Sequence, residues 1–102
     1  MTRSKKKLSL IHPGEILREE FMKPLGLSAN KLALEIRVPS NRIVAVVNGK
    51  RSLSADTSLR LARYFNTSAD FWMNLQARYD LQQAEDELSA AIMREVRPRD
   101  AA

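Results

Sequence analysis

Between Ala29 and Asn48 the apolar residues fall into two short helical registers with a break between them, and no other feature constrains the fold as strongly. Leu32, Ala33 and Ile36 share one helix face, Ile43, Val46 and Val47 share a second, and Val38 sits in the turn between them. Two helices patterned this way lock against each other near a right angle, with the small Ala33 where they cross. The second helix is then free to lie along a DNA major groove. The pattern points to binding rather than to catalysis.

Composition narrows the choice. A chain of 102 residues, 44% of them hydrophobic, holds one domain with one modest core. Cysteine is absent, which excludes a disulfide framework and a thiolate metal site. The lone histidine, His12, cannot assemble a metal site by itself, and nothing implies a cofactor. No apolar run approaches the ~20 residues needed to span a bilayer, and no signal-peptide pattern opens the chain. The expectation is a soluble, cytoplasmic protein with no membrane partner.

The net charge of +5 is unevenly distributed. Met1 to Lys7 carries four positive charges and no negative one. Arg37 to Arg63 holds six basic residues against Asp56 alone, whereas Tyr64 to Ala102 holds seven acids against four bases. A polyanion would favour the middle of the chain and the amino-terminal arm. Taken residue by residue, the same charges read as solvated helix faces; it is their segregation that points to a partner.

Residues 1–10 lack periodicity and read as a flexible basic arm. His12-Pro13-Gly14-Glu15 marks a helix start, with Pro13 at the first position and Glu15 complementing the positive helix end. Ile16, Leu17, Glu20 and Phe21 continue the helix until Pro24 and Gly26 stop it. Ser28 is an N-cap for the next helix, to about Ile36. Pro39 biases Val38 toward an extended turn; Ser40 to Val47 forms the second helix of the pair, and Asn48-Gly49 ends it. After the basic loop Lys50-Arg51-Ser52-Leu53, Ser54 or Asp56 caps a fourth helix that buries Ser58, Leu61, Ala62 and Phe65. Thr67 or Ser68 caps a fifth, with Phe71, Trp72, Leu75 and Tyr79 inside. The expected architecture is an all-α bundle of five helices.

Residues 11–84 form the expected domain and residues 85–102 a carboxy-terminal extension, a candidate dimerisation segment. Two conformations fit the extension. Leu88, Ile92 and Val96 keep a spacing of four, which continues the helix; equally, Ile92 to Arg97 fits a short extended segment pairing with another chain. Pro98 ends either one.

At the start of the second helix Ser40, Asn41 and Arg42 project toward base edges; Asn pairs bidentately with adenine and Arg with guanine. Val44 and Ala45, one turn on, are placed to touch a thymine methyl, though a stray exposed apolar residue reads the same way. Asn30, Asn48, Lys50 and Arg51 ring the helix and suit phosphates. Asn48-Gly49 also reads as a helix cap, and Arg42 fits a phosphate as well as a base. The Phe71-Trp72 pair at helical spacing reads as core, and His12 as a helix-start residue. Glu19-Glu20 and Glu85-Asp86-Glu87 have no histidine partner or glycine-rich phosphate loop beside them, so they read as solvated faces and no enzyme is expected.

The flanks are more distinctive: His-Pro-Gly-Glu-Ile-Leu at His12 to Leu17 with Glu19-Glu20-Phe21, then Pro24-Leu25-Gly26-Leu27-Ser28. Further on come Asn48-Gly49-Lys50-Arg51, Ser54-Ala55-Asp56, Leu59-Arg60-Leu61-Ala62, Phe71-Trp72-Met73-Asn74-Leu75-Gln76 and Tyr79-Asp80-Leu81. Together, over His12 to Glu85, these resemble the HigA-type antitoxins, a branch of the lambda-repressor-like (Xre) helix-turn-helix proteins. The resemblance implies a five-helix lambda-repressor-like bundle that binds operator DNA. It also implies a homodimer that represses its own operon and neutralises a small ribosome-dependent ribonuclease toxin. The alternatives are a repressor of the same fold without a toxin, and an adaptor whose helix pair serves protein contacts only. Two positions depart from the family pattern. Arg37 stands where glycine is common, at a cost of about 1 kcal/mol if left-handed. Pro39 replaces the usual Ser or Thr, so a side-chain cap comes from Ser40 or is absent.

A homodimer with recognition helices about 34 Å apart would read a palindrome. Residues from Trp72 onward carry apolar side chains beyond what the small core needs and are the expected seam, with Tyr79 a candidate hydrogen-bonding group there.

Overall fold

The computed structural model describes residues 10–100, so most of the basic arm lies outside the described residues. The chain is all-α: five helices, with no strand among the described residues.

Helix α1 covers residues 13–25 in three registers: Pro13–Ile16, a π-helical run Leu17–Met22, and Lys23–Leu25. His12 caps it, its Nδ1 accepting the Gly14 N–H at 2.9 Å, and Pro13 opens it. The π-run was not foreseen. It passes the Lys23 N–H back to the Arg18 carbonyl directly ahead of Pro24, whose ring crowds a preceding α-turn and which has no N–H to give. Pro24 therefore rides inside the last turn rather than ending the helix. The stop is Gly26, left-handed at φ 64°.

Helix α2, Ala29–Ile36, starts where Ser28 Oγ accepts the Lys31 N–H at 3.0 Å. It ends at Arg37 in the left-handed region, φ 63°, with the Val38 N–H bonded to Ala33 O at 3.0 Å. Helix α3, Ser40–Val47, follows Pro39 with no side-chain cap. Gly49, φ 74°, closes it: its N–H reaches Val46 O at 3.0 Å and that of Lys50 reaches Ala45 O at 2.8 Å. Ser54 caps α4, Ala55–Phe65, through the Thr57 N–H, and Ser68 caps α5, Ala69–Glu95, through the Phe71 N–H. Asp56 is thus not the cap of α4, nor Thr67 that of α5.

The core is Leu17, Met22, Leu32, Ala33, Ile36, Ile43, Val46, Leu53, Leu61 and Trp72. Trp72 is fully buried at its centre; its Nε1 donates to Thr67 Oγ1 at 2.8 Å and Phe21 packs 4.8 Å from it. Thr57 and Ser58 are buried on α4, with Ala62 and Phe65 half-buried behind them. Phe71, expected inside with Leu75 and Tyr79, is 37% exposed because it lies on the outer flank of Trp72, 4.9 Å away edge to face. Helix α5 crosses residues 84 and 85 without interruption, so of the two conformations open to the extension the structure takes the helix. Among the described residues no helix is long and apolar enough to cross a membrane.

Candidate nucleic-acid interface

Helices α2 and α3 form the locked pair expected from their apolar registers. Ile43 and Val46 turn inward against Leu32, Ala33 and Ile36, all buried. The outward stripe of α3 then carries Asn41, Val44, Ala45 and Asn48, which recur at helical spacing opposite the buried pair. Ser40, Asn41 and Asn48 are exposed, Val44 is 39% exposed and Ala45 is half-buried. Lys50 and Arg51 follow the cap, both exposed and in no ion pair among the described residues. Asn30 is exposed in the first turn of α2. The arrangement offers hydrogen-bonding amides in the middle and cations at one end, which suits a base edge flanked by phosphates.

Arg42 is placed differently. It lies on the flank of α3 toward α4, where Nη1 donates to Asp56 Oδ2 at 2.9 Å. Asp56 also accepts from Arg60 Nε at 2.8 Å, and the Arg60 and Arg42 guanidiniums hold its carboxyl below the usual aspartate range. Arg60 reaches on to Ile36 O at 2.9 Å. The Asp56–Arg60 spacing of four was visible in the sequence; the partner of Arg42 was not.

Two further residues support the recognition helix from behind. Gly14 lets α1 approach α3 so closely that a Cβ there would run into the Val46 carbonyl and lie 3.0 Å from Val47 Cα. Arg18 Nη1 donates to Val47 O at 3.4 Å, at the end of α3. His12, its pKa lowered by burial and only partly restored by Asp80, serves as the α1 cap.

The helix-turn-helix family profile matches residues 19–72, more than half of the 102-residue chain. The chain belongs to the helix-turn-helix family, and its likeness to solved HigA antitoxins places it in the HigA-type branch. "Virulence-associated protein I" of Dichelobacter nodosus is 51% identical over 81% of this chain and 77% of that protein. Among solved structures, the addiction module antidote protein of the HigA family from Coxiella burnetii is 48% identical with TM-score 0.83, covering 87% of this chain and 97% of that one. The Pseudomonas aeruginosa antitoxin HigA with the higBA promoter is 43% identical with TM-score 0.86, covering 89% and 99%. For this helix-turn-helix protein the comparison places α2 and α3 inside the matched segment, together with all of the candidate contact residues.

Proposed function

We propose that this chain is a DNA-binding antitoxin: a homodimer that represses its own operon through α3 and neutralises a small ribonuclease toxin. The observation that carries it is the outward Asn41–Val44–Ala45–Asn48 stripe beside the uncompensated Lys50 and Arg51, on a fold shared with an antitoxin solved with a promoter. Ser40, Asn41, Val44 and Ala45 face base edges, joined by Arg42 once it leaves Asp56. Asn30, Asn48, Lys50 and Arg51 hold phosphates. Residues 11–84 form the DNA-binding unit, and the end of α5 within residues 85–102 joins two copies.

The test is binding of the purified chain to its own upstream duplex against a random-sequence duplex at two salt concentrations. Preference for the upstream duplex, weakening as salt rises, supports the reading; equal binding to both overturns the repressor role. Arg51→Ala weakens both duplexes alike, whereas Asn41→Ala relaxes choice at one base pair by about 1–3 kcal/mol. Equal losses on both duplexes for Asn41→Ala would remove it from base readout. Co-expression with the neighbouring small open reading frame tests the antidote role. Growth restored by this chain supports it, and a neighbour that inhibits no growth leaves a repressor without a toxin.

A further inference from the structure

Arg42 is the only basic side chain on α3. It is 22% exposed and makes one ion-pair bond, to a carboxylate that is itself 55% exposed. Its Nε is buried and has no acceptor. A buried N–H without a partner has lost its hydration for nothing, so this resting place is weakly favoured. Asp56, in contrast, is doubly held. Its Oδ1 accepts from Arg60 Nε, and Arg60 Nη1 donates to Ile36 O at 2.9 Å and to Arg37 O at 3.3 Å. When Arg42 leaves, Asp56 stays neutralised by Arg60, and no charge is stranded. A guanine edge offers a guanidinium two acceptors side by side, which Asp56 does not give Arg42 here.

Building on the DNA-binding reading above, we infer that Asp56 is a specificity-determining counter-ion. It holds Arg42 off the DNA until a site supplies a paired acceptor, and so suppresses binding to random sequence. On an unmatched site the exchange trades one bond for another. On a matched site it gains a second bond from the paired acceptors.

The experiment measures affinity of Asp56→Asn for the upstream and random duplexes over a salt series, beside the wild type, Arg42→Gln and the double variant. The expected result is a several-fold gain on random DNA, a salt slope steeper by about one, and a smaller change on the upstream duplex. The gain disappears in the Arg42→Gln background, which separates release of Arg42 from mere removal of a negative charge. Should Asp56→Asn melt early, Asp56→Ser keeps a short polar group in the first turn of α4 and replaces it. An equal gain in both backgrounds, or equal losses on both duplexes, overturns the inference. Wild-type preference left intact by Asp56→Asn overturns it alone, whereas a wild type with no preference overturns the binding reading as well.

Discussion

The amide of Gln76 is buried between α5 and the loop ahead of α4. Its Oε1 accepts the Leu53 N–H at 2.7 Å and its Nε2 donates to Asp80 Oδ1 at 2.9 Å. Gln76→Ala leaves the Leu53 N–H buried without a partner and should cost about 1–3 kcal/mol in urea unfolding; an unchanged midpoint would mean that Leu53 has another acceptor. His12 makes a prediction in pH. Burial lowers its pKa below the ordinary 6.5, and Asp80 only partly opposes this. A base whose folded pKa is depressed takes up its proton later when folded than when unfolded. Stability should therefore be level above 6.5 and fall as pH drops from there toward the folded value. Protonation also turns Nδ1 from acceptor to donor and removes the α1 cap. His12→Asn keeps a capping oxygen without the titration, so thermal midpoints should lose this segment of their pH dependence.

At the scale of elements, helix ends are set locally and helix contacts are not. Gly26, Arg37, Gly49 and Asn66 all take left-handed backbone just beyond a helix. Arg37 does so at about 1 kcal/mol disadvantage relative to glycine, in a turn that bonds the Val38 N–H back to Ala33 O. The α1–α3 contact depends on Gly14 having no side chain. Since the obstacle is the backbone of Val46, not a flexible side chain, Gly14→Ala should cost about 3 kcal/mol. It should also lower DNA affinity, because α1 braces α3 from behind. Denaturation and duplex binding measured on the same sample check both; full stability with alanine would place α1 farther from α3.

The whole molecule is elongated, 54 × 34 × 22 Å, because α5 runs 27 residues, about 40 Å at helical rise, past the four shorter helices. Its far half carries Leu88, Ile92 and Met93 exposed, with Leu81 just before and Val96 just beyond. Such side chains, on turns of α5 beyond the buried Trp72 and Gln76, fit the proposed dimer seam. Ile92→Glu should shift the chain to monomer in sedimentation equilibrium. Operator affinity should fall more than random-duplex affinity, since linking two half-site contacts is lost. An unchanged sedimentation profile would move the seam elsewhere, to the groove beside Tyr79 and Leu75.

The amino-acid sequence alone carried the helix pair, the cap at Ser28, the left-handed closure at Gly49 and the outward face of α3, and it narrowed the caps of α4 and α5 to two nearby residues each, of which the structure takes Ser54 and Ser68. Each of these depends on residues within about four positions of one another, where side-chain chemistry and backbone geometry meet directly. Only the tertiary structure decided that Arg42 pairs with Asp56, 14 positions on, and that Gln76 reaches back 23 positions to Leu53. It likewise decided that Gly14 lies under Val46, that Phe71 is half-outside, and that α1 widens ahead of Pro24. These facts follow from how whole helices dock, and docking is set by the summed packing of the core rather than by any short stretch of residues.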